Sequence, residues 1–246
     1  MMKTDSMLSE SFEQIVQFRR SNRSFDPDVE VPDDLIIRSL RRSILSPNSS
    51  NLQLWEFHWI KSAEKIREFI PLCLNQKAAS TAKQMVVFVC RADKWKERAK
   101  WNYDRFSERV AGEKDEVRKG GMKYYGKLIP LIYTNDPFGL FAMVRSIIST
   151  IIGLQRPFFR TGGKAKQRIM VHKSCALAAQ TFMLSVAAEG FHTCPMEGFD
   201  EVRVRRAINL PRGAEINMII SVGKGTPEGV WGPRVRVPEE EVIVKH

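Results

Sequence analysis

The chain has 246 residues, 43 % of them apolar and 27 % charged, a length at the upper end of what one domain holds. That composition excludes the disordered and collagen-like classes, because enough apolar surface is present to offset the entropy of ordering the chain. Thirty-nine Lys and Arg against 28 Asp and Glu leave a net charge of +11, which predicts an anionic partner: a nucleic acid, a membrane surface or a phosphorylated cofactor.

From Ser11 the spacing of Phe12, Ile15 and Val16 predicts an amphipathic helix that runs into the cluster Arg19, Arg20, Ser21, Asn22, Arg23. Pro32, Asp33 and Asp34 announce a second helix, carrying Leu35, Ile36, Leu40, Ile44 and Leu45 and stopping before Pro47. Pro47 to Asn51 has polar turn chemistry. Trp55 to Ile60 alternates and is aromatic, as a strand is, and Met85 to Cys90 predicts another. From Lys94 to Lys127, Lys and Glu interleave around Trp95, Trp101, Tyr103 and Phe106, which suits solvated helices with one apolar seam. Asp136 to Arg160 is apolar, broken by Arg145 and Arg156 and followed by basic residues to Arg168. It reads as a packed lid or dimer helix, or as an interfacial helix that meets an anionic membrane or admits an apolar substrate.

Ser174 to Glu189 is alanine-rich and closed by Gly190, the pattern of a buried central helix. Ile216 to Val222, bounded by Gly223, predicts a strand, and Pro238 to Val244 a short edge strand. With no internal repeat and no low-complexity linker, the expectation is one mixed α+β unit over 1–246. The polar N-terminus and the absence of 18 uninterrupted apolar residues point to a cytoplasmic protein, at most peripheral at a membrane.

Familiar catalytic signatures are missing: no G-x-S-x-G, H-E-x-x-H, Walker A motif or G-x-G-x-x-G after a strand. The four cysteines, Cys73, Cys90, Cys175 and Cys194, are scattered, so neither a disulfide framework nor a metal site is expected. His172 near Cys175 reads as a structural residue at the start of a helix, His58 and His192 as structural, and Cys194 as a small buried hydrophobe. More informative are Arg19, Arg20 and Arg23 beside a serine, with Arg234 and Arg236 repeating the theme downstream, since fixed guanidinium donors suit a phosphate.

These residues resemble the nitroreductase family of flavin-dependent oxidoreductases: R-R-S-N-R-S-F at Arg19 to Phe25, S-P-N-S-S-N-L-Q-L-W at Ser46 to Trp55, C-P-M-E-G-F at Cys194 to Phe199, and P-R-V-R-V-P at Pro233 to Pro238, in the family's order. The resemblance covers most of the chain except roughly 94–170, a family-variable helical insertion. It implies an α+β fold with a mainly antiparallel central sheet flanked by helices, in an intertwined homodimer whose flavin sites are shared between subunits. By match, Arg19, Arg20 and Ser21 hold the FMN phosphate and ribityl chain, Arg23 lies near the pyrimidine edge, and Arg234 and Arg236 close over the phosphate. Pro47, Asn48, Ser49, Asn51 and Gln53 match a loop that reaches the partner's flavin. Asn75 matches a ring contact, and Pro195, Met196, Glu197 and Gly198 the segment along the flavin, with the backbone of Glu197 and Gly198 near N5. Lys77 and Ser174 match more loosely, and Leu54 stands where many members have proline.

The resemblance implies NADH or NADPH as electron donor, a small-molecule acceptor such as a nitroaromatic or quinone, and a ping-pong cycle. No side-chain acid is required, because the flavin carries the chemistry and the protein supplies orientation and electrostatics. Two competing readings remain open: a flavin-binding or flavin-processing protein of the same fold without robust nitroreductase turnover, and a basic nucleic-acid-binding protein, for which no recognition motif is present.

Overall fold

Apolar residues along the second predicted strand face two ways, and two cores form on them. The computed structural model describes residues 2–108, 115–136, 138–159 and 163–246. In chain order it contains α1 (Met2–Phe18), α2 (Asp33–Ile44), β1 (Trp55–Ile60), α3 (Ala63–Leu72), a single turn α4 (Lys77–Ser80) and β2 (Gln84–Cys90). There follow α5 (Trp95–Ser107), α6 (Asp115–Lys123), α7 (Ile129–Tyr133), α8 (Leu140–Gln155), α9 (Lys164–Ala188), β3 (His192–Met196), α10 (Glu201–Ala207) and β4 (Glu215–Gly223). Residues 109–114 of the expected charged helices, and 137 and 160–162 in and after the apolar segment, lie outside the described residues.

The four strands form one antiparallel sheet in the order β1-β2-β4-β3. Val86, Phe88 and Cys90 of β2 point to one face, where they pack with Ala178, Ala179, Phe182 and Val186 of α9 and Leu35 and Ile36 of α2. Met85, Val87 and Val89 point to the other, against Phe69 of α3, Ala78 and Ala79 of α4, and Val204 of α10. This is the expected α+β architecture.

Helix α9 is long and apolar enough to cross a membrane, but its inner face is core, with Cys175, Ala178, Ala179 and Phe182 fully buried. It starts ten residues ahead of Ser174, since Lys164–Lys173 is rich in straight-chain residues that lose little rotamer freedom in a helix. Its end is as expected: Gly190 takes φ 75°, its N–H reaches Ala187 O (2.9 Å), and the Phe191 N–H reaches Val186 O (3.2 Å), a Schellman closure.

Four elements fall outside the sequence expectations: α3, the single turn α4, α10 and β3. Pro195 masks β3 as a strand; it is tolerated because β3 is an edge. The tail corrects an expectation. Pro238 to Val244 forms a 3₁₀ turn at Glu239–Glu241, with no strand. Pro238 has no N–H to give a ladder, three adjacent carboxylates disfavour pairing, and the outer edge of β3 is already bridged by Ser21 at Thr193. Ile44 and Leu45 are also exposed; besides Leu35 and Ile36 the buried residues of α2 are Ser39 and Ser43, where the Ser185 hydroxyl donates to Ser39 Oγ (2.9 Å) across the α2–α9 contact.

At the β1 edge, Glu56 accepts from Arg91 and from Lys94 (2.9 Å). Burial alone would raise its carboxyl, but the bonds from Lys94 and Arg91 outweigh this and hold it below the usual range. Replacing Glu56 by Gln is expected to cost about 1–2 kcal/mol in urea unfolding near neutrality. Because the folded-state value is depressed, that stabilisation is fully present above pH 4.5 and is lost as pH falls through the lowered value. The gap between the two proteins should therefore close on acidification; an unchanged gap would show that the ion pair contributes nothing.

Candidate functional site

Helix α1 stops at Phe18, and the predicted basic cluster leaves its end. The Arg234 guanidinium turns back and donates through Nη2 to the carbonyls of Val16 (3.2 Å), Gln17 (2.9 Å) and Arg19 (3.0 Å), capping oxygens that the helix leaves without partners. Arg20 Nη2 donates to Gly232 O (3.0 Å). Burial lowers the pKa of Arg19, and the charges of Arg234, Arg236 and Arg20 lower it further. Four guanidiniums from the two ends of the chain thus converge, and every charge acting on Arg19 is positive. Such a set suits an anion, and a dianionic phosphate would relieve the repulsion most fully.

The following residues are pinned to the β3 edge. Ser21 bridges Thr193, the Asn22 N–H donates to Thr193 O (3.1 Å), and the Arg23 N–H to Gly229 O (2.8 Å). Asn22, which no motif singled out for a role, is 1 % exposed; its Nδ2 donates to Thr226 O (2.9 Å) and its Oδ1 accepts from the Ser24 N–H (3.0 Å). A Cβ at Gly225 would come within 2.2 Å of Asn22 Nδ2, and one at Gly229 within 1.8 Å of Asn22 Oδ1. Both glycines are there so that this amide can sit between them. Arg23 lies over the Trp231 ring, 4.3 Å from its centroid, which fixes the guanidinium without neutralising it.

The matched segment Pro195 to Gly198 ends β3 beside this cluster: Met196 is buried, while Glu197 and Gly198 are exposed. Asn75 sits in a left-handed turn (φ 53°) next to it, because Gln76 Nε2 donates to Gly198 O (2.5 Å) and Cys73 O (3.0 Å). Gln76 is a positioning residue hidden in the sequence between Asn75 and Lys77. Lys77 is exposed and its charge helps lower the Glu228 carboxyl, after that group's bonds from its own backbone and from Thr226. Cys194, as expected, is a buried hydrophobe: burial raises its thiol, partly opposed by the Arg23 charge.

Pro47, Asn48, Ser49, Asn51 and Gln53 are elsewhere. Ser49 N–H donates to Ser174 Oγ (3.2 Å), Gln53 N–H to Asn48 Oδ1 (2.8 Å), and Asn51 exchanges bonds with Asn102 (3.1 and 3.0 Å). Tyr124 and Tyr125 hold Ser50 through its hydroxyl (2.8 Å) and carbonyl (3.0 Å). Asn102 and both tyrosines lie in the charged stretch that reads only as helical surface. Ser50, Asn51 and Gln53 take φ of 56°, 49° and 49°, left-handed values, on either side of an ordinary Leu52, that non-glycine residues adopt at a cost and that these bonds secure. Ser49 and Ser50 also line a cavity of about 490 Å³ together with Tyr124, Leu131, Ile148 and Phe158. This loop feeds β1, whereas the arginine set joins β3, the opposite edge of the sheet and about 14 Å away at ordinary strand spacing. The matched residues therefore gather in two separate places on one chain.

His58, His172 and His192 are half-buried, and His172 lies inside α9, not at the helix start expected of it, because α9 begins at Lys164. His192 Nδ1 accepts from the Gly225 N–H (3.0 Å), and burial lowers the His58 imidazole. His172 pairs with Glu215 (3.0 Å) and Asn217 (3.1 Å) and lies beside Cys90; a thiol bond from Cys175, with help from His172, draws the Cys90 thiol below its ordinary value against the opposing effect of burial.

The chain matches the family model described as the nitroreductase family over residues 16–224. It is 26 % identical to protein DrgA of Synechocystis sp., over 93 % of this chain and 90 % of that protein. Its fold superposes on that of an Exiguobacterium sibiricum protein solved in complex with FMN, at a TM-score of 0.66 and 20 % identity, covering 96 % of this chain and 97 % of that one. A Staphylococcus epidermidis protein designated an NAD(P)H:FMN oxidoreductase superposes at a TM-score of 0.68 and 18 % identity, covering 96 % and 95 %. With a family match spanning most of its length and the family's motifs gathered at two sheet edges, the chain belongs to the nitroreductase family.

Proposed function

We propose that this protein is an FMN-dependent oxidoreductase that takes electrons from NADH or NADPH and passes them, in a ping-pong cycle, to an organic acceptor such as a nitroaromatic or quinone. The observation that carries this reading is the convergence of Arg19, Arg20, Arg234 and Arg236 without an opposing charge on Arg19. Bound FMN supplies hydride chemistry at N5, which needs no acid or base from the protein. Arg19, Arg20, Arg234 and Arg236 hold the phosphate, and Ser21 orients the ribityl chain. Arg23, kept in place by Trp231, puts positive charge at the pyrimidine edge, where it favours negative charge on the ring and raises the reduction potential. The Pro195 to Gly198 segment, braced by Gln76, aligns backbone N–H groups along the ring, with Asn75 as a further ring contact.

The second half-site acts in trans. In this reading the molecule is a homodimer of one-domain subunits, each with the helical insertion at about 94–170, and the loop Pro47 to Gln53 completes the partner's flavin site. Three features support this. The half-sites lie at opposite sheet edges, α1 exposes Met7, Leu8 and Phe12, and the tail exposes Val235 and Val237. A monomer by light scattering would overturn the dimer.

The test of function is the absorbance spectrum of the purified protein, followed by anaerobic titration with each nicotinamide. The expected result is a flavin band that bleaches on adding NADH or NADPH and returns on adding acceptor. A yellow protein that never bleaches would leave a flavin-binding protein without turnover, and failure to take up FMN would overturn the reading altogether. Replacing Arg19 by Ala is expected to weaken FMN binding by about 1.5–3 kcal/mol, the loss of one charge-assisted phosphate contact, in a fluorescence-quenching titration. Unchanged affinity would remove Arg19 from the phosphate site.

A further inference from the structure

Helix α8 is apolar and largely uncovered: of its 16 residues only Ser149 is buried. Leu140, Val144, Ile147, Ile151 and Leu154, spaced four and three apart, form one continuous stripe, each between 48 % and 79 % exposed. Phe138, at 88 % exposed, and Phe158 and Phe159, at 42 % and 53 %, extend the patch at its two ends. A soluble surface does not usually leave so large an apolar area in water.

The charge around this patch selects its occupant. Between residues 137 and 188 there is no Asp or Glu, while Lys and Arg number seven, so this stretch carries most of the net +11. The cations are placed against the apolar side chains. Arg156 lies 5.9 Å from the Phe158 ring centroid and Lys166 lies 5.0 Å from that of Phe159. A Cβ at Gly163 would sit 3.2 Å from Ala142, so the start of α9, with Lys164 and Lys166, runs beside α8. A second copy of the same surface would bring like charges together and is disfavoured. An anionic surface with an apolar interior satisfies both features. A helix of 16 residues is about 24 Å long, short of the ~30 Å hydrocarbon core. Arg145 further anchors the inner side of α8 to the protein through the carbonyls of Leu131 (3.1 Å) and Thr134 (2.5 Å). Spanning is therefore excluded, and lying in the plane of the interface is what the geometry permits.

We propose that α8 and its flanking cations dock this protein onto an anionic lipid bilayer, with the stripe Leu140 to Leu154 inserted at the headgroup and acyl boundary. The proposal stands independently of the flavin chemistry. It is tested by flotation of the full-length protein with vesicles of phosphatidylcholine alone or mixed with phosphatidylglycerol. The expected result is at least tenfold more bound protein on the anionic vesicles, weakening as salt is raised. The Ile147→Ser, Ile151→Ser double variant and the Lys164→Glu, Lys166→Glu double variant should each lower binding about tenfold; the second changes only exposed side chains, which guards against a folding defect. Equal recovery in the unbound fraction with both vesicle types would overturn the proposal. So would unchanged binding in the charge variant, or concentration-dependent self-association through α8 that Ile147→Ser abolishes.

Discussion

Replacing Phe182 by Ala is expected to destabilise the protein by about 3–5 kcal/mol in chemical denaturation. The Phe182 side chain is 0 % exposed and meets Phe88 edge-on, with ring centroids 5.5 Å apart; Phe88 in turn packs against Phe57 at 4.8 Å. These rings join α9 to β2 and β1, so truncation removes a ring's worth of transfer free energy and leaves a cavity between a helix and a sheet that cannot both relax. The consequence reaches the candidate site, because α9 also carries Ser174, which holds Ser49. Phe182→Leu, which keeps most of the volume, should cost roughly half as much or less. A loss below about 1 kcal/mol for the alanine variant would mean that α9 does not close the core at this position.

Gly229→Ala should have the next largest effect, on the order of 3 kcal/mol, with loss of bound flavin during gel filtration. The new Cβ would lie 1.8 Å from Asn22 Oδ1 and 2.7 Å from the Ser24 backbone nitrogen. Backbone cannot yield cheaply, so the Asn22 amide must leave, and its bonds to Thr226 O and the Ser24 N–H break in a buried setting. That combines an overpacking cost of about 1–3 kcal/mol with the desolvation of stranded polar groups. The same amide sets the path of the chain through Ser21 to Ser24, so the arginines proposed to hold the phosphate lose their frame. Gly232→Ala makes the contrast: a Cβ there meets nothing within 4 Å, and its φ of 70° brings only local strain. If Gly229→Ala keeps both stability and flavin, Asn22 does not organise the site.

Much of this protein is legible in its residues because the signals are local. The apolar run Met85 to Cys90 reports a strand, and the structure has one there with a core on each face. Asp33 and Asp34 begin α2, and Gly190 stops α9, through interactions confined to one helical turn. Where local signals conflict, the reading fails: Pro195 hides β3, and the lysines and arginines of Lys164–Lys173 mark surface while also favouring the helix they join.

By itself the sequence determined the α+β class, the family motifs and the presence of two arginine sets, the first of them beside a serine, since composition, spacing and turn chemistry act over a few residues. Only the tertiary structure decided that Arg234 caps α1 from 215 positions beyond Arg19, that Asn22 sits between Gly225 and Gly229, and that the Pro47 to Gln53 loop stands at the opposite sheet edge from the arginines. Those outcomes depend on strand order and close packing between distant segments. No local preference encodes them, because each is chosen by the energy of the whole fold and not by that of the residues that display it.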